Sequence, residues 1–166
     1  ASRMQRAVQS RRVHKTYLTI LQGELRQPVE VDAPIGKHPT SELRVRQAVT
    51  EDGLAAFTRF VPLEMCAGYS LVRVEPKTGR LHQIRVHAAH IGHPVAGDKI
   101  YGPDEALFLE FIRDGFTGRL PEHLPIRRQA LHCERVTFLP AKLWPNGLSF
   151  YAPLADDLAR FWKTLR

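Results

Sequence analysis

The segment from Thr78 to His87 holds the densest group of side chains in the sequence that could bind an anion or move a proton. It contains two arginines, two histidines and a glutamine, namely Arg80, Arg85, His82, His87 and Gln83. The segment follows a Lys-Thr-Gly turn, where a helix is expected to begin, and donors at such a junction suit a phosphate or a buried carboxylate. The same residues would also suit the solvated face of a basic helix. The segment therefore indicates a donor-rich site without naming its ligand.

Other site chemistries fit the sequence poorly. His87, His90 and His93 recur at every third residue, but the last lies past the glycine that should end the helix, and no acidic ligand is near. We therefore expect no metal site. The two cysteines form no CxxC pair, and Cys133 falls in an apolar strand pattern typical of a core thiol. Gly-rich phosphate loops and the GxSxG and HExxH motifs are absent from the sequence.

The charge of the chain points to a phosphate-rich partner. Lysine and arginine total 24 against 17 acidic residues, which gives a formal charge of +7, and the pI is about 9.8. A pI above ~9 is typical of domains that bind nucleic acid. Two basic stretches contain no acid, one before Glu24 and one from Lys77 to His93. These stretches favour a polyanion as the partner.

Length and composition exclude several classes of protein. The 166 residues amount to one domain, and 43% hydrophobic with 25% charged residues excludes wholesale disorder and collagen-like structure. The apolar runs fall far short of the ~20 residues that a membrane-spanning helix needs, and the start of the chain lacks the layout of a signal peptide. We expect a soluble, cytoplasmic domain that contacts no membrane.

The periodicity of the apolar residues predicts an α+β fold. Alternation predicts strands over residues 15–22, 30–35, 43–49, 54–62, 69–76, 129–139 and 147–152. Helical spacing predicts helices over residues 4–13, 81–91, 103–114 and 156–165. We expect these elements to form a mixed, mainly antiparallel sheet with flanking helices.

Several segments together resemble one family. A signature of the RluA-type pseudouridine synthase family closely resembles the stretch Glu75-Pro-Lys-Thr-Gly-Arg-Leu-His-Gln-Ile-Arg-Val-His87, its continuation Ile91-Gly-His-Pro-Val95, and the pairs Gly97-Asp98 and Tyr101-Gly102. Further matches, in the family's order, are Val13-His-Lys-Thr-Tyr-Leu18, Ala56 with Thr58 and Phe60, Gln129-Ala-Leu-His132 and Phe150-Tyr-Ala-Pro153. The resemblance covers nearly the whole chain.

The resemblance implies that the parent protein isomerises uridine to pseudouridine in rRNA or tRNA, with no metal and no organic cofactor. By position, Tyr17 matches the family's tyrosine, which packs on the base and assists proton movement at C5. Arg85 matches the arginine that pairs with the catalytic aspartate and keeps it ionised. The expected RNA contacts are Lys15, Lys77, Arg80, His82, Gln83 and His87.

The sequence departs from the family at the nucleophile. The H-R-L-D-x-x-T-S-G motif that carries the family's aspartate is absent, and Asp98 and Asp32 do not stand in its place. We interpret residues 1–166 as a single partial catalytic domain that is inactive alone. The alternative is a non-catalytic RNA-binding module derived from such an enzyme. Loss of the aspartate strand should leave an exposed sheet edge and promote self-association.

Overall fold

A computed structural model describes residues 12–141 and 144–166 of the chain. The helix expected over residues 4–13 lies almost wholly outside the described residues, so that prediction stays open. In the described part, no helix is long and apolar enough to cross a membrane.

One six-stranded sheet forms the centre of the fold. In chain order its strands are β1 (Val13–Gln22), β2 (Val29–Asp32), β5 (Phe57–Cys66), β6 (Tyr69–Pro76), β7 (Leu131–Phe138) and β8 (Leu148–Tyr151). They lie in the spatial order β2-β5-β6-β1-β7-β8, and neighbouring strands pair antiparallel. A separate two-stranded sheet pairs β3 (Ile35–Lys37) with β4 (Gln47–Val49). The α+β fold with a mainly antiparallel sheet is confirmed.

Strand β6 shows why this sequence forms the sheet. Its alternate residues Ser70, Val72 and Val74 are fully buried, while the intervening residues are partly exposed. Because successive side chains of a strand point to opposite faces, this alternation gives the strand one core face and one wetter face. The buried face continues into β1 and β5, where Leu21, opposite Ser70, and Phe60, opposite Val74, are fully buried.

In the described part of the chain, four helices accompany the sheets: α1 (Gln83–His90), α2 (Ala106–Asp114), α3 (Leu120–His123) and α4 (Asp156–Thr164). Helix α1 contacts β4, β5 and β6, so it connects both sheets. It stops where expected, because Gly92 adopts the left-handed conformation, with φ of +79°, that ends many helices. Helix α4 buries Leu158 and Trp162 against the core.

The ends of several elements differ from their predictions. The strand expected over residues 30–35 divides into β2 and β3, because β2 pairs with β5 whereas β3 pairs with β4. The strand expected over residues 43–49 keeps only the three residues of β4. No element was predicted where the short helix α3 lies, because its four residues are too few for a periodic pattern.

Candidate active-site cleft

A cleft of about 1090 Å³ opens at one end of the large sheet. Residues 13–17 of β1 form one wall, and the segment from Glu75 to Arg80 forms another. The wall residues Glu30 and Arg59 lie 3.6 Å apart as an ion pair. The cleft therefore lies between the N-terminal half of β1 and the turn that leads into α1.

Tyr17 stands in this cleft at a break in the sheet. It pairs with Val74 of β6 on one side and with Cys133 of β7 on the other, and the β7 register shifts between Thr16 and Tyr17. Burial raises the pKa of the Tyr17 phenol, and the neighbouring Cys133 raises it further. The phenol is therefore protonated at neutral pH and can donate its hydrogen. Cys133 is partly exposed beside this ring, so the expectation of a core thiol is wrong.

The basic residues of the cleft carry unbalanced positive charge. Lys15 and Lys77 are exposed, and Arg80 is partly exposed. The ion pairs of the described residues include none of these three side chains. The Lys77 ammonium lies 3.9 Å from the centre of the Phe57 ring, and Arg80 Nε donates to the carbonyl of Ala55 at 3.1 Å. The cleft thus presents donors to an anion, as RNA phosphates would require.

Two of the expected RNA contacts, Gln83 and His87, have buried side chains. Gln83 is 4% exposed and His87 is fully buried. The polar atoms of both side chains form hydrogen bonds within the protein. Gln83 bonds to Phe57, Thr58, Thr78 and Arg80. His87 bonds to Thr58 and Ala33. The helical spacing predicted that both residues lie on a polar face of α1. In the structure, that face packs on β5.

A second polar cluster surrounds the half-buried His82, which precedes α1 in the left-handed conformation, with φ of +56°. Its Nδ1 lies 2.9 Å from the hydroxyl of Tyr101, and that hydroxyl accepts the backbone N–H of Gln47. Burial, followed by the charge of Arg85, lowers the pKa of His82. His82 is therefore neutral at pH 7 and is held by the protein.

Arg85 is paired with a carboxylate that the sequence argument set aside. Its Nε and Nη2 donate to the two oxygens of Asp98 at 2.6 and 2.7 Å, and Asp98 is fully buried. The guanidinium carbon also lies 4.9 Å from the centre of the Tyr101 ring. Asp98, dismissed above as the nucleophile, is therefore the carboxylate that Arg85 contacts in this structure. Asp98 and Tyr101 were missed as partners of Arg85, although both stand in the Gly97-Asp98 and Tyr101-Gly102 matches.

The predicted site residues thus fall into three places. Tyr17, Lys15, Lys77 and Arg80 line the cleft, whereas the described lining does not include Arg85. His82 and Arg85 belong to the Asp98 cluster, and Gln83 and His87 are buried beneath the turn. Within residues 12–141 and 144–166, no group of His, Cys, Asp and Glu is arranged to hold a metal ion.

Comparison with known proteins identifies the family of this fold and cleft. The profile of the family described as RNA pseudouridylate synthase matches residues 1–90, more than half of the chain. The chain belongs to this family. The RluA-type membership expected from the sequence is therefore confirmed.

Relatives of the family match along nearly the full chain. The ribosomal large subunit pseudouridine synthase D of Nitrosomonas europaea is 37% identical over 97% of this chain and 43% of its own length. The protein of the same name in Xanthomonas campestris is 39% identical over 95% of this chain and 45% of its own length. The chain thus spans less than half the length of these pseudouridine synthases.

A solved structure has the same fold. It is described as human RNA pseudouridylate synthase domain containing 1, and it superposes with a TM-score of 0.70 at 26% identity. The match covers 98% of this chain and 69% of that structure.

Proposed function

We propose that this chain is part of an enzyme that converts uridine to pseudouridine in RNA, with ribosomal RNA in the cytoplasm as the favoured substrate and tRNA as the other. The observation that carries the proposal is the position of Tyr17 in a cleft with Lys15, Lys77 and Arg80, which take part in none of the ion pairs found among the described residues. A flat ring beside uncompensated cations suits a flipped base with its flanking phosphates. The curated relatives that match the chain are named for the large ribosomal subunit.

The reaction breaks the bond between uracil N1 and ribose C1′ and forms a bond from C1′ to uracil C5. The proton on C5 leaves, N1 gains a proton, and no electrons are exchanged with a cofactor. Tyr17 supplies a ring for the detached uracil, and burial raises the pKa of its phenol, which is therefore protonated. The phenol acts as a relay: its oxygen accepts the C5 proton while its own hydrogen passes to water, and water returns a proton to N1. Lys15, Lys77 and Arg80 hold the phosphates on either side.

Arg85 serves the reaction as a fixed cation. Asp98 occupies the Nε and Nη2 edge of the guanidinium, which leaves Nη1 to pair with a second carboxylate. We assign that carboxylate to a segment outside the 166 residues, because the H-R-L-D motif does not occur within them. In this arrangement Asp98 orients Arg85, and Arg85 keeps the catalytic carboxylate ionised at C1′.

A non-catalytic RNA-binding module is the second candidate, and the absence of the aspartate motif from these residues favours it. Both candidates bind RNA, so they differ in turnover and not in affinity.

The test compares the 166-residue chain with the complete product of its gene. Tritium release from ribosomal RNA that contains 5-tritiated uridine measures loss of the C5 proton. We expect release by the complete product and none by the 166 residues alone. In the complete product, Tyr17→Phe should lower the rate by about 100-fold or more, as loss of a general acid or base does. Tyr69→Phe is the matched control and should keep the rate, because Tyr69 packs on Phe161, 5.7 Å between ring centres, outside the cleft.

RNA affinity separates the remaining outcomes. Affinity should fall with salt, with a slope of roughly −0.7 for each phosphate bound in a single strand. Release by the 166 residues alone would place the catalytic carboxylate among the acids dismissed above. RNA binding without release by the complete product would establish the binding module. Salt-independent affinity would refute both candidates.

A further inference from the structure

A series of hydrogen bonds connects Thr78, in the lining of the cleft, with Ala33, between β2 and β3. The Thr78 hydroxyl lies 2.7 Å from Gln83 Oε1, and Gln83 Nε2 lies 3.0 Å from the Thr58 hydroxyl. That hydroxyl lies 2.9 Å from His87 Nδ1, and His87 Nε2 lies 3.0 Å from the carbonyl oxygen of Ala33. Thr58 and His87 are fully buried.

The last link of the chain fixes the direction of every other link. The Ala33 carbonyl can only accept, so His87 Nε2 carries the hydrogen and, in the neutral ring, Nδ1 must accept. Nδ1 accepts from the Thr58 hydroxyl, whose oxygen is then available to the amide of Gln83. The amide nitrogen of Gln83 therefore faces Thr58, and its oxygen faces the turn. Burial lowers the pKa of His87, which agrees with a neutral ring.

Gln83 uses its full hydrogen-bonding capacity in this orientation. Its oxygen accepts from the Thr78 hydroxyl and from the backbone N–H of Arg80 at 3.0 Å. Its nitrogen donates to the carbonyl of Phe57 at 2.9 Å as well as to Thr58. The turn that carries Lys77 and Arg80 is thus bound through one amide to strand β5. If the Gln83 amide were reversed, its oxygen would face two acceptors and its nitrogen would face two donors.

We propose that Gln83, with its orientation set by Thr58 and His87, is the positioning residue that fixes the 77–80 turn at the cleft for RNA binding. This inference rests on the proposed function of the cleft as the RNA site. It goes beyond that function by giving Gln83, Thr58 and His87 a role in affinity although their side chains are buried.

Variants at the two ends of this series of hydrogen bonds test the proposal. Thr78→Val removes the hydroxyl at the surface end, and Thr78→Ser restores it. At the buried end, His87→Leu removes the acceptor for Thr58, whereas His87→Asn keeps an acceptor oxygen near the position of Nδ1. His90→Leu is the matched control, because His90 is an exposed histidine on the same helix.

The first measurement needs no RNA. Amide hydrogen exchange of Arg80 reports whether its N–H remains bound to Gln83, and ¹⁵N NMR of the imidazole reports the His87 tautomer. We expect the Nε2–H tautomer in the wild type. Thr78→Val and His87→Leu should speed Arg80 exchange by roughly tenfold, the effect of about 1.4 kcal/mol. The other three variants should stay within about twofold of the wild type.

The second measurement is the dissociation constant for a short uridine-rich single-stranded RNA at low salt. Thr78→Val and His87→Leu should raise it by roughly the same factor as Arg80→Ala, about tenfold. Thr78→Ser and His87→Asn should restore wild-type affinity. A role in packing alone would lower stability in both histidine variants and leave the affinity of the folded protein unchanged.

The two measurements separate the possible failures. Unchanged Arg80 exchange in Thr78→Val and His87→Leu would overturn the positioning role, whatever RNA does. Faster exchange with unchanged RNA affinity would overturn the link from the turn to RNA. If the wild type binds no RNA, the proposed function fails, while the exchange data still decide whether Gln83 positions the turn. If His87→Leu does not fold, the Thr78 pair alone decides the question.

Discussion

At the scale of single residues, the Arg85–Asp98 pair is the most constrained feature of the site. Taking two charges out of water is costly, and a buried pair persists only when its geometry is good and its remaining polar atoms are satisfied. Asp98 meets both conditions, because it accepts a bidentate guanidinium and the backbone N–H groups of Ile100 and Tyr101. Arg85 is therefore oriented before any substrate arrives. A lysine could not reproduce this bidentate contact.

The buried histidines make stability depend on pH. Burial lowers the pKa values of His82 and His87. The titratable groups near His87 are His90 on the same helix and Asp32 at the end of β2. Since the unfolded chain binds these protons more readily, stability is complete above the ordinary histidine pKa of about 6.5 and is lost as pH falls toward the lowered values. We expect the free energy of unfolding to fall between pH 7.5 and 5.5 by up to ~1.4 kcal/mol per pH unit for each histidine.

Urea denaturation followed by tryptophan fluorescence at several pH values measures this slope. The double variant His82→Asn, His87→Asn is the control and should show a nearly flat profile across the same range. The carboxylates with lowered pKa values, such as Glu64 and Asp157, lose their contribution only at lower pH. A wild-type profile as flat as that of the control would contradict the assignment of neutral, buried imidazoles.

Sequence reasoning at this scale identified the residue types and missed their partners. Gln83, Arg85 and His87 were recognised as a polar group on α1. Which of them faces the cleft depends on Thr58 and Asp98, which lie 25 and 13 residues from Gln83 and Arg85 in the chain. Helical periodicity gives the face of a residue, but it does not show whether a distant strand supplies hydrogen bonds to that face. Tyr17 and Arg80 lie in one cleft, and only the resemblance to a family related two segments so far apart.

At the scale of elements, the loop between α1 and α2 determines where Asp98 lies. Gly97 precedes Asp98 with φ of +73°, and a Cβ there would lie 2.3 Å from the carbonyl oxygen of Arg128. Gly92 has nearly the same backbone, with φ of +79°, but in the described part of the chain a Cβ there meets nothing within 4 Å. Alanine substitutions at the two glycines therefore distinguish the cost of backbone strain alone from the cost of strain together with a close contact.

We predict that Gly97→Ala costs far more stability than Gly92→Ala. Both variants incur the left-handed penalty of roughly 1–2 kcal/mol. Gly97→Ala must also displace backbone beside Asp98, so we expect a total loss of about 4 kcal/mol or more, in the range reserved for severe defects. Urea unfolding of the two variants measures the difference. Equal losses would show that Asp98 is not held by close packing at Gly97.

The elements themselves were largely predictable, and their exceptions have a physical cause. Strand β6 has the predicted bounds of 69–76, because its alternation is regular and a turn closes each end. The segment from Glu30 to Ile35 was predicted as one strand and forms parts of two sheets. Local sequence reports that such a segment is extended, whereas the choice of partner is made by strands far along the chain.

At the scale of the whole molecule, the large sheet has an apolar strand at one margin. Strand β8 is the last in the spatial order, and its four residues are exposed. Leu148, Phe150 and Tyr151 are 37%, 57% and 58% exposed. Among the described strands, β8 has a neighbour on one side only. A margin of this kind can offer backbone groups and apolar side chains to another strand. The edge expected from the sequence thus has a candidate position, and self-association through it remains a prediction.

We predict that the 166-residue chain self-associates through β8 in a concentration-dependent way. Phe150→Lys should weaken this association by at least about tenfold in the dissociation constant, because a lysine on an edge strand opposes further pairing. Leu109→Lys is the matched control, since it places the same charge on an apolar side chain of α2 that is 47% exposed. Sedimentation velocity over a range of concentrations measures both variants. A chain that is monomeric throughout, or one weakened equally by Leu109→Lys, would show that β8 is not the associating edge.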